Sequence, residues 1–297
     1  MASWATLFVD ALTPMTPLLV ASVGEIINEK AGVVNIGIEG IMLLSAFAAT
    51  LATFLSGSPL IGLAAGIGCG VAVGALHGFI SVYLNGDQII SGIGINMFAY
   101  GLCVMGLVLT WHSYGASPSV PTLPSFKVGE SSVSVLTIPS ILIAVGAWYL
   151  ITRTRAGLRI RACGEDPRSA EAMGINVHRV RFLSTLLGAA LMGYAGAFLV
   201  IGWIGQFTKD ITSGMGFIAL ANVAFSNWNP LLAILGAYIF GFFNAVPYVL
   251  QMAMGFARYA YLVKTIPYLA TVAVLAIVAR KARMAMPRAL GKPYIKE

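Results

Sequence analysis

Asn35 and Glu39 stand four residues apart in the run Gly32-Val33-Val34-Asn35-Ile36-Gly37-Ile38-Glu39-Gly40, where a long apolar stretch begins. On a helix that spacing stacks the amide and the carboxylate on one face. An ionisable group at the centre of a membrane helix costs about 2.5–3.5 kcal/mol on insertion scales, so a carboxylate there needs a partner or a task. The glycines Gly32, Gly37 and Gly40 predict a bent or broken helix. Bare backbone of that kind is tolerated only where protein buries it or it lines a cavity. Two readings stay open. Either Asn35, Gly37, Glu39 and Gly40 border a polar path, or Asn35 and Glu39 clamp neighbouring helices by hydrogen bonds.

Two further polar sets interrupt apolar sequence. His77, Asn85, Asp87, Gln88 and Asn96 surround one connection between apolar runs. Asn96 lies inside the following run and is a second path candidate, whereas His77, beside a row of glycines, reads as a packing residue. Asn222, Asn227, Asn229 and Asn244 have Trp203, Phe217 and Trp228 nearby. They could stack on and hydrogen-bond a flat heterocycle or a sugar, with Asn222 on the path, or the aromatics could be interfacial anchors. Of the acidic residues, only Glu39, Asp10 and Asp210 are candidates for membrane depth, too few for a proton or sodium relay.

Other chemistries lack their residues. There is no Gly-x-x-x-x-Gly-Lys-Ser/Thr loop for ATP phosphates, no His-Glu-x-x-His and no Gly-x-Ser-x-Gly, so no catalytic residue is assigned. Cys69, Cys103 and Cys163 are scattered, which predicts neither a disulfide framework nor a metal site.

The elements that must hold these side chains are helices in a membrane. Of 297 residues, 58% are hydrophobic and 10% charged; the mean hydropathy is +0.86. Soluble domains carry about 25% charged residues. About 20 apolar residues cross a bilayer. That length places spans at 4–27, 40–56, 59–84, 89–111, 135–152, 182–205, 211–227, 230–252 and 263–279. The expectation is an all-α polytopic membrane protein of about nine transmembrane helices, range 8–10, forming one transmembrane domain over 1–297.

Charge sets the orientation. Of eighteen Lys and Arg, seven lie in 153–181 and six more (Arg280, Lys281, Arg283, Arg288, Lys292 and Lys296) in the C-terminal tail. Clustering between and after apolar runs is the positive-inside pattern, so 153–181 and 280–297 are expected to be cytoplasmic, with anionic lipid headgroups as neighbours. Nucleic acid is not an expected partner, because the basic residues do not spread over a soluble face. The first 29 residues hold no Lys or Arg. The N-terminus is therefore expected outside, with the first apolar run kept as a span rather than cleaved as a signal peptide. The serine- and proline-rich stretch 112–134 falls outside as well, either as a plain loop or as a docking surface for an extracytoplasmic partner. The tail reads as a solvated end facing lipid.

Gly62, Gly66, Gly70, Gly74 and Gly78 repeat at four-residue spacing. They form one slowly drifting stripe on a helix, where another backbone can approach closely. Whether the seam meets this chain or a partner is open.

The runs Gly24 to Met42 (GEIINEKAGVVNIGIEGIM), Thr154 to Pro167 (TRAGLRIRACGEDP) and Ala170 to Val177 (AEAMGINV) closely resemble the permease subunits of bacterial ABC importers. The resemblance is to the branch serving ribose-type sugars, branched-chain amino acids and nucleosides. The Glu39-Gly40 version looks most like the nucleoside, basic-membrane-protein-dependent group. It implies a subunit of the bacterial cytoplasmic membrane without enzymatic activity, which translocates nucleosides, with purine nucleosides foremost. Its implied partners are an ABC ATPase subunit that binds ATP and Mg, a related second permease and an extracytoplasmic substrate-binding protein; no cofactor sits on this chain. A short coupling helix maps to about Glu165–Asn176. Gly164, Glu165, Pro167, Ala170, Ala172, Gly174 and Ile175 become its candidate ATPase-coupling residues, the small ones for close docking and the Gly174-Ile175 pair as its end. Arg155, Arg159 and Arg161 read as snorkelling anchors. A ribose-type sugar permease is the alternative cargo reading, and an ion-coupled secondary carrier or a scaffold subunit the alternative classes.

Overall fold

The computed structural model describes residues 4–129, 131–254, 265, 269 and 285–295. Helices α1 Trp4–Asp10 and α2 Leu12–Lys30 open the chain. After a non-helical link come α3 Ile38–Ser56, α4 Pro59–Gly78 and α5 Gln88–Trp111. A single π-helical turn, Phe79–Tyr83, extends α4. A hairpin of β1 Ser125–Val128 and β2 Ser131–Ser134, antiparallel with Ser125 opposite Ser134, precedes α6 Thr137–Arg153. Then follow α7 Arg155–Glu165, α8 Pro167–Ala172 and α9 Val177–Phe198, the last prolonged by a π-turn Leu199–Ile204. Finally come α10 Met215–Phe225 and α11 Pro230–Met254.

Among the described residues, five helices are long and apolar enough to cross a membrane, or six if α6 and α7, bent by 74° at Thr154, count together. Most expected spans coincide with helices. The exception is 211–227, where only the eleven residues of α10 are helical. Ser213 and Gly214 take positive φ (43° and 78°) and stop a helix from forming earlier. The expected span 263–279 lies outside the described residues, apart from Thr265 and Leu269.

Helix α2 is the core: 78% of its apolar window is buried, and α6, α9, α10 and α11 surround it. Helix α5 instead turns Ile90, Met97, Phe98 and Leu109 outward, each at least 60% exposed. An apolar outer face is what lipid or another apolar subunit requires.

The glycine seam faces this chain's own helices. A Cβ on Gly70 would fall 2.5 Å from the Ala189 carbonyl and 2.7 Å from Gly193 Cα, and one on Gly66 would meet Ala197 of α9 and the Ser45 carbonyl of α3. Gly62 lies against Ala49 and Thr53 of α3, Gly74 against Ala189 and Gly78 against Phe182 of α9. Small residues on both sides let the backbones of α4 and α9 touch.

The helix ends are set locally. Asp87 caps α5, its Oδ1 accepting from the amides of Ile89 and Ile90 at 2.8 and 3.0 Å. Asn176 caps α9 in the same manner through the Arg179 amide at 2.9 Å. The connection 112–134 is not loose: Ser117, Val120 and Leu123 donate their amides to the carbonyls of Phe207, Gly205 and Ile201. Nor is the described tail a solvated end, since Ala289 and Tyr294 are buried against the bundle. Backbone hydrogen bonds to Gly164 and Gly32 hold it there.

Candidate functional site

The link between α2 and α3 is broken, as its glycines predict, but the break separates Asn35 from Glu39. Asn35 precedes the helix, where its Oδ1 accepts from the Gly37 amide at 2.9 Å and its own amide donates to Glu25 Oε1 at 2.7 Å. It is wholly buried and does not share a helical face with Glu39. Gly37 packs against Gly92 and Ile95 of α5. Asn96 secures the other side: its Oδ1 accepts from the Gly40 amide at 2.7 Å and its Nδ2 donates to the Ile36 carbonyl at 3.0 Å. One side-chain amide thus satisfies two backbone groups that the start of α3 leaves unpaired.

Glu39 belongs to the first turn of α3 and reaches across to the beginning of α10. Its Oε1 accepts from Thr212 Oγ1 at 2.5 Å and the Gly214 amide at 2.8 Å, and its Oε2 from the Gly216 amide at 2.7 Å. A carboxylate suits the positive end of a helix. Gly216 permits the approach, because a Cβ there would fall 2.6 Å from the Glu39 amide nitrogen.

Beside this junction lies a cleft of ≈260 Å³ lined by Glu39, Gly40, Asn96, Tyr100, Lys209 and Asp210 among others. The structure therefore brings Glu39, Gly40 and Asn96 together and leaves Asn35, Gly37 and Asn222 elsewhere. Asn222 is buried between α2 and α11, its Nδ2 donating to Ser22 Oγ at 3.0 Å and the Ala233 carbonyl at 3.1 Å. Asn229 caps α11 through the Leu231 amide, and Asn244 bonds the Phe240 carbonyl within its own helix. His77 is a packing residue, its ring nitrogens 3.0 Å from Ser91 Oγ and 3.1 Å from the Val34 carbonyl.

Sequence reasoning missed several residues. Glu25 and Glu29 are buried on α2, one turn apart, with Trp228 Nε1 donating to Glu29 Oε2 at 2.5 Å and Asn28 Nδ2 to Glu25 Oε2 at 2.9 Å. The i, i+4 spacing of two carboxylates around Asn28 was the available signal. Lys209 and Thr212, which line the cleft, carry no pattern that points there.

At the opposite end of α2 from its start, α7 and α8 form a basic platform. Arg155, Arg159 and Arg161 are exposed, while Gly157, Ile160, Cys163 and Gly164 face inward. Gly164 packs on the Lys30 carbonyl, where a Cβ would sit 2.2 Å away. Pro167 begins α8 behind Asp166, whose Oδ1 accepts from the amides of Arg168 and Ser169 at 3.1 Å. The Ser169 hydroxyl and these amides hold the Asp166 carboxyl below the usual range. Gly174 (φ 81°) ends α8: its amide bonds the Glu171 carbonyl and that of Ile175 the Ala170 carbonyl, a Schellman motif. Glu165, Ala172, Met173 and Gly174 are exposed, Met173 by 83%. Ala170 differs from expectation: it points into the bundle with Cys163 and Val177, so its small size serves internal packing.

Apolar helices around a buried central helix, a half-helix that starts at a carboxylate beside a cleft, and a basic platform at one end define a polytopic membrane permease. The chain belongs to the family described as "Branched-chain amino acid transport system / permease component", which matches residues 7–275. It is 33% identical to the nucleoside ABC transporter permease NupC of Lactococcus lactis, over 95% of this chain and 94% of that protein. It is 31% identical to the guanosine ABC transporter permease NupQ of Bacillus subtilis, over 94% and 93%. A Haloferax volcanii protein provisionally named a glucose ABC transporter permease is 33% identical over 95% of each chain. A solved structure described as an inward-facing metal-chelate type ABC transporter matches 91% of this chain and 86% of its own with a TM-score of 0.54 at 18% identity, a likeness of fold.

Proposed function

We propose that this permease translocates nucleosides, purine nucleosides foremost, through the cytoplasmic membrane as part of an ATP-driven importer. The observation that carries the cargo is the 33% identity, over nearly the whole chain, to a permease named for nucleosides. The Glu39 cleft supports it: the Lys209 ammonium and the Tyr100 phenol line it, next to Glu39 and Asn96, which hold the starts of α10 and α3, and can meet hydroxyls and ring nitrogens.

In this reading the platform end is cytoplasmic and the hairpin end faces outward, as the arginine distribution favours. ATP and Mg bind a partner ATPase subunit, which docks on α8 through Ala172, Met173 and Gly174. A second, related permease completes the path beside α5, and a binding protein delivers substrate at 112–134. The chain itself offers two packings of different stability rather than covalent chemistry. The half-helix α10, held at its start by Glu39, begins at the edge of the cleft, which its N-cap Gly214 lines.

Transport of a simple sugar is the second reading, favoured by the Haloferax relative. Uptake of labelled guanosine and glucose by cells with and without this chain separates the two. Guanosine uptake that needs the chain supports the nucleoside reading, and glucose uptake alone replaces it.

A further inference from the structure

Arg181 is a cation with 2% of its surface exposed, in the first turns of α9. Its Nη1 donates to the Lys292 carbonyl at 2.9 Å and its Nη2 to the Cys163 carbonyl at 3.3 Å. Burying a charge without such acceptors is strongly unfavourable. Cys163 lies in the last turn of α7, where carbonyls carry the negative end of the helix dipole. The guanidinium therefore grips α7 with one nitrogen and the C-terminal tail with another.

The tail makes further contacts of its own. The Ala289 amide donates to the Gly164 carbonyl at 2.9 Å and the Gly291 amide to the Gly32 carbonyl at 3.2 Å. Ala285 donates to Asn227 Oδ1 at 2.7 Å, in the turn between α10 and α11, and accepts from Lys30 Nζ at 3.3 Å. Tyr294 closes a small apolar cluster with Cys163, Ala170 and Val177, and its hydroxyl bonds the Glu171 carboxylate of α8. Eleven residues thus join the end of α2, the platform and the start of α9.

We propose that residues 285–295 are a strap that holds α7 and α8 rigidly on the bundle, so that a push at α8 moves α2 and α9; Arg181 and Tyr294 are its positioning residues. The proposal rests on the reading of α8 as the ATPase-coupling element. The covalent connections of the platform are the 74° bend at Thr154 and the turn after Ala172. With the strap absent, α7 and α8 swing on those two joints and the stroke is lost.

The test uses the complete complex in lipid, with the cognate ATPase subunit, second permease and binding protein. It compares the intact chain with Y294A, with a chain ending at residue 284, and with A172W as a coupling control. One readout is substrate imported per ATP hydrolysed. The other is labelling of Cys163 by a membrane-impermeant maleimide, with C163S as the blank.

Burial pushes the Cys163 thiol up to about 11, so the strapped chain labels slowly. Y294A and the shortened chain are expected to bind the ATPase, to label at least about tenfold faster as the thiol returns toward its ordinary pKa, and to import severalfold less per ATP. Unchanged labelling and an unchanged ratio in both would overturn the strap. An unchanged ratio in A172W would instead refute the coupling reading, while labelling still reports on the strap. If the shortened chain does not accumulate, Y294A supplies both readouts.

Discussion

Glu39 Oε2 accepts the Gly216 amide at 2.7 Å, joining the first turn of α3 to the first turn of α10 across 177 residues of sequence. Together with the bonds from Thr212 and Gly214, it holds a half-helix by its N-terminus at the edge of the cleft. Hydrogen bonds to a charged group contribute about 1.5–3 kcal/mol each. E39A is therefore expected to lower uptake by about tenfold or more, since 1.4 kcal/mol is a factor of ten. E39Q, which keeps one acceptor oxygen and the side-chain volume, should fall between. Uptake into proteoliposomes reads the effect, and an E39A protein with normal transport would remove Glu39 from the mechanism.

The α4–α9 seam makes a paired prediction. G70A forces a methyl group against backbone atoms of Ala189 and Gly193, whereas Gly68, on the exposed side of the same helix, has nothing within 4 Å of an added Cβ. Overpacking costs about 1–3 kcal/mol. G70A should lower the unfolding temperature in detergent, and G68A should leave it unchanged or raise it slightly. Equal effects would mean that the seam does not pack as described.

Trp228 and Glu29 are both buried, and the indole N–H is a donor to the carboxylate. W228F leaves that carboxylate short of a donor, at a cost of about 1–3 kcal/mol. A double-mutant cycle with E29Q should show strong coupling, whereas additive effects would deny the contact.

Ala170 and Ala172 are two residues apart on α8 but face opposite ways, inward and outward. A170W should reduce the amount of folded protein. A172W should leave folding intact and abolish stimulation of the partner ATPase. The reverse pattern would exclude docking on the outer face of α8.

Asp166 gives a pH expectation. Its folded carboxyl is held low by the Ser169 hydroxyl and the α8 amides. The cap is therefore fully present above the ordinary aspartate pKa of about 3.9 and is lost only as pH falls through the lower folded value. Transport between pH 5 and 8 should not respond to this residue, and a D166N chain, which can still accept from the amides, should share the wild-type profile. A D166N profile displaced within that window would contradict the assignment.

Much of the architecture was legible because apolar length and glycine spacing are local signals. The stripe from Gly62 to Gly78 announced a close seam, and two of its neighbours, Ala189 and Gly193, are themselves small and four apart. The roles of Asn35 and Asn222 were not legible, because a polar side chain in apolar sequence looks the same whether it lines a path or clamps two helices. Only its partners decide, and they include Met192, 157 residues from Asn35, and Ser22, 200 residues from Asn222. The tail misled for a related reason: its lysines suggest solvent, yet its hydrogen bonds to the platform run mainly through backbone groups, which composition does not display.

The most direct test of the central claim is the ATPase rate of the purified complex in lipid, assembled with the ATPase, second permease and binding protein that the proposed importer requires, with and without guanosine. The account expects guanosine to raise hydrolysis in the intact complex and not in one carrying A172W. A chain that forms no complex with an ATPase, yet moves guanosine down an ion gradient alone, would contradict it.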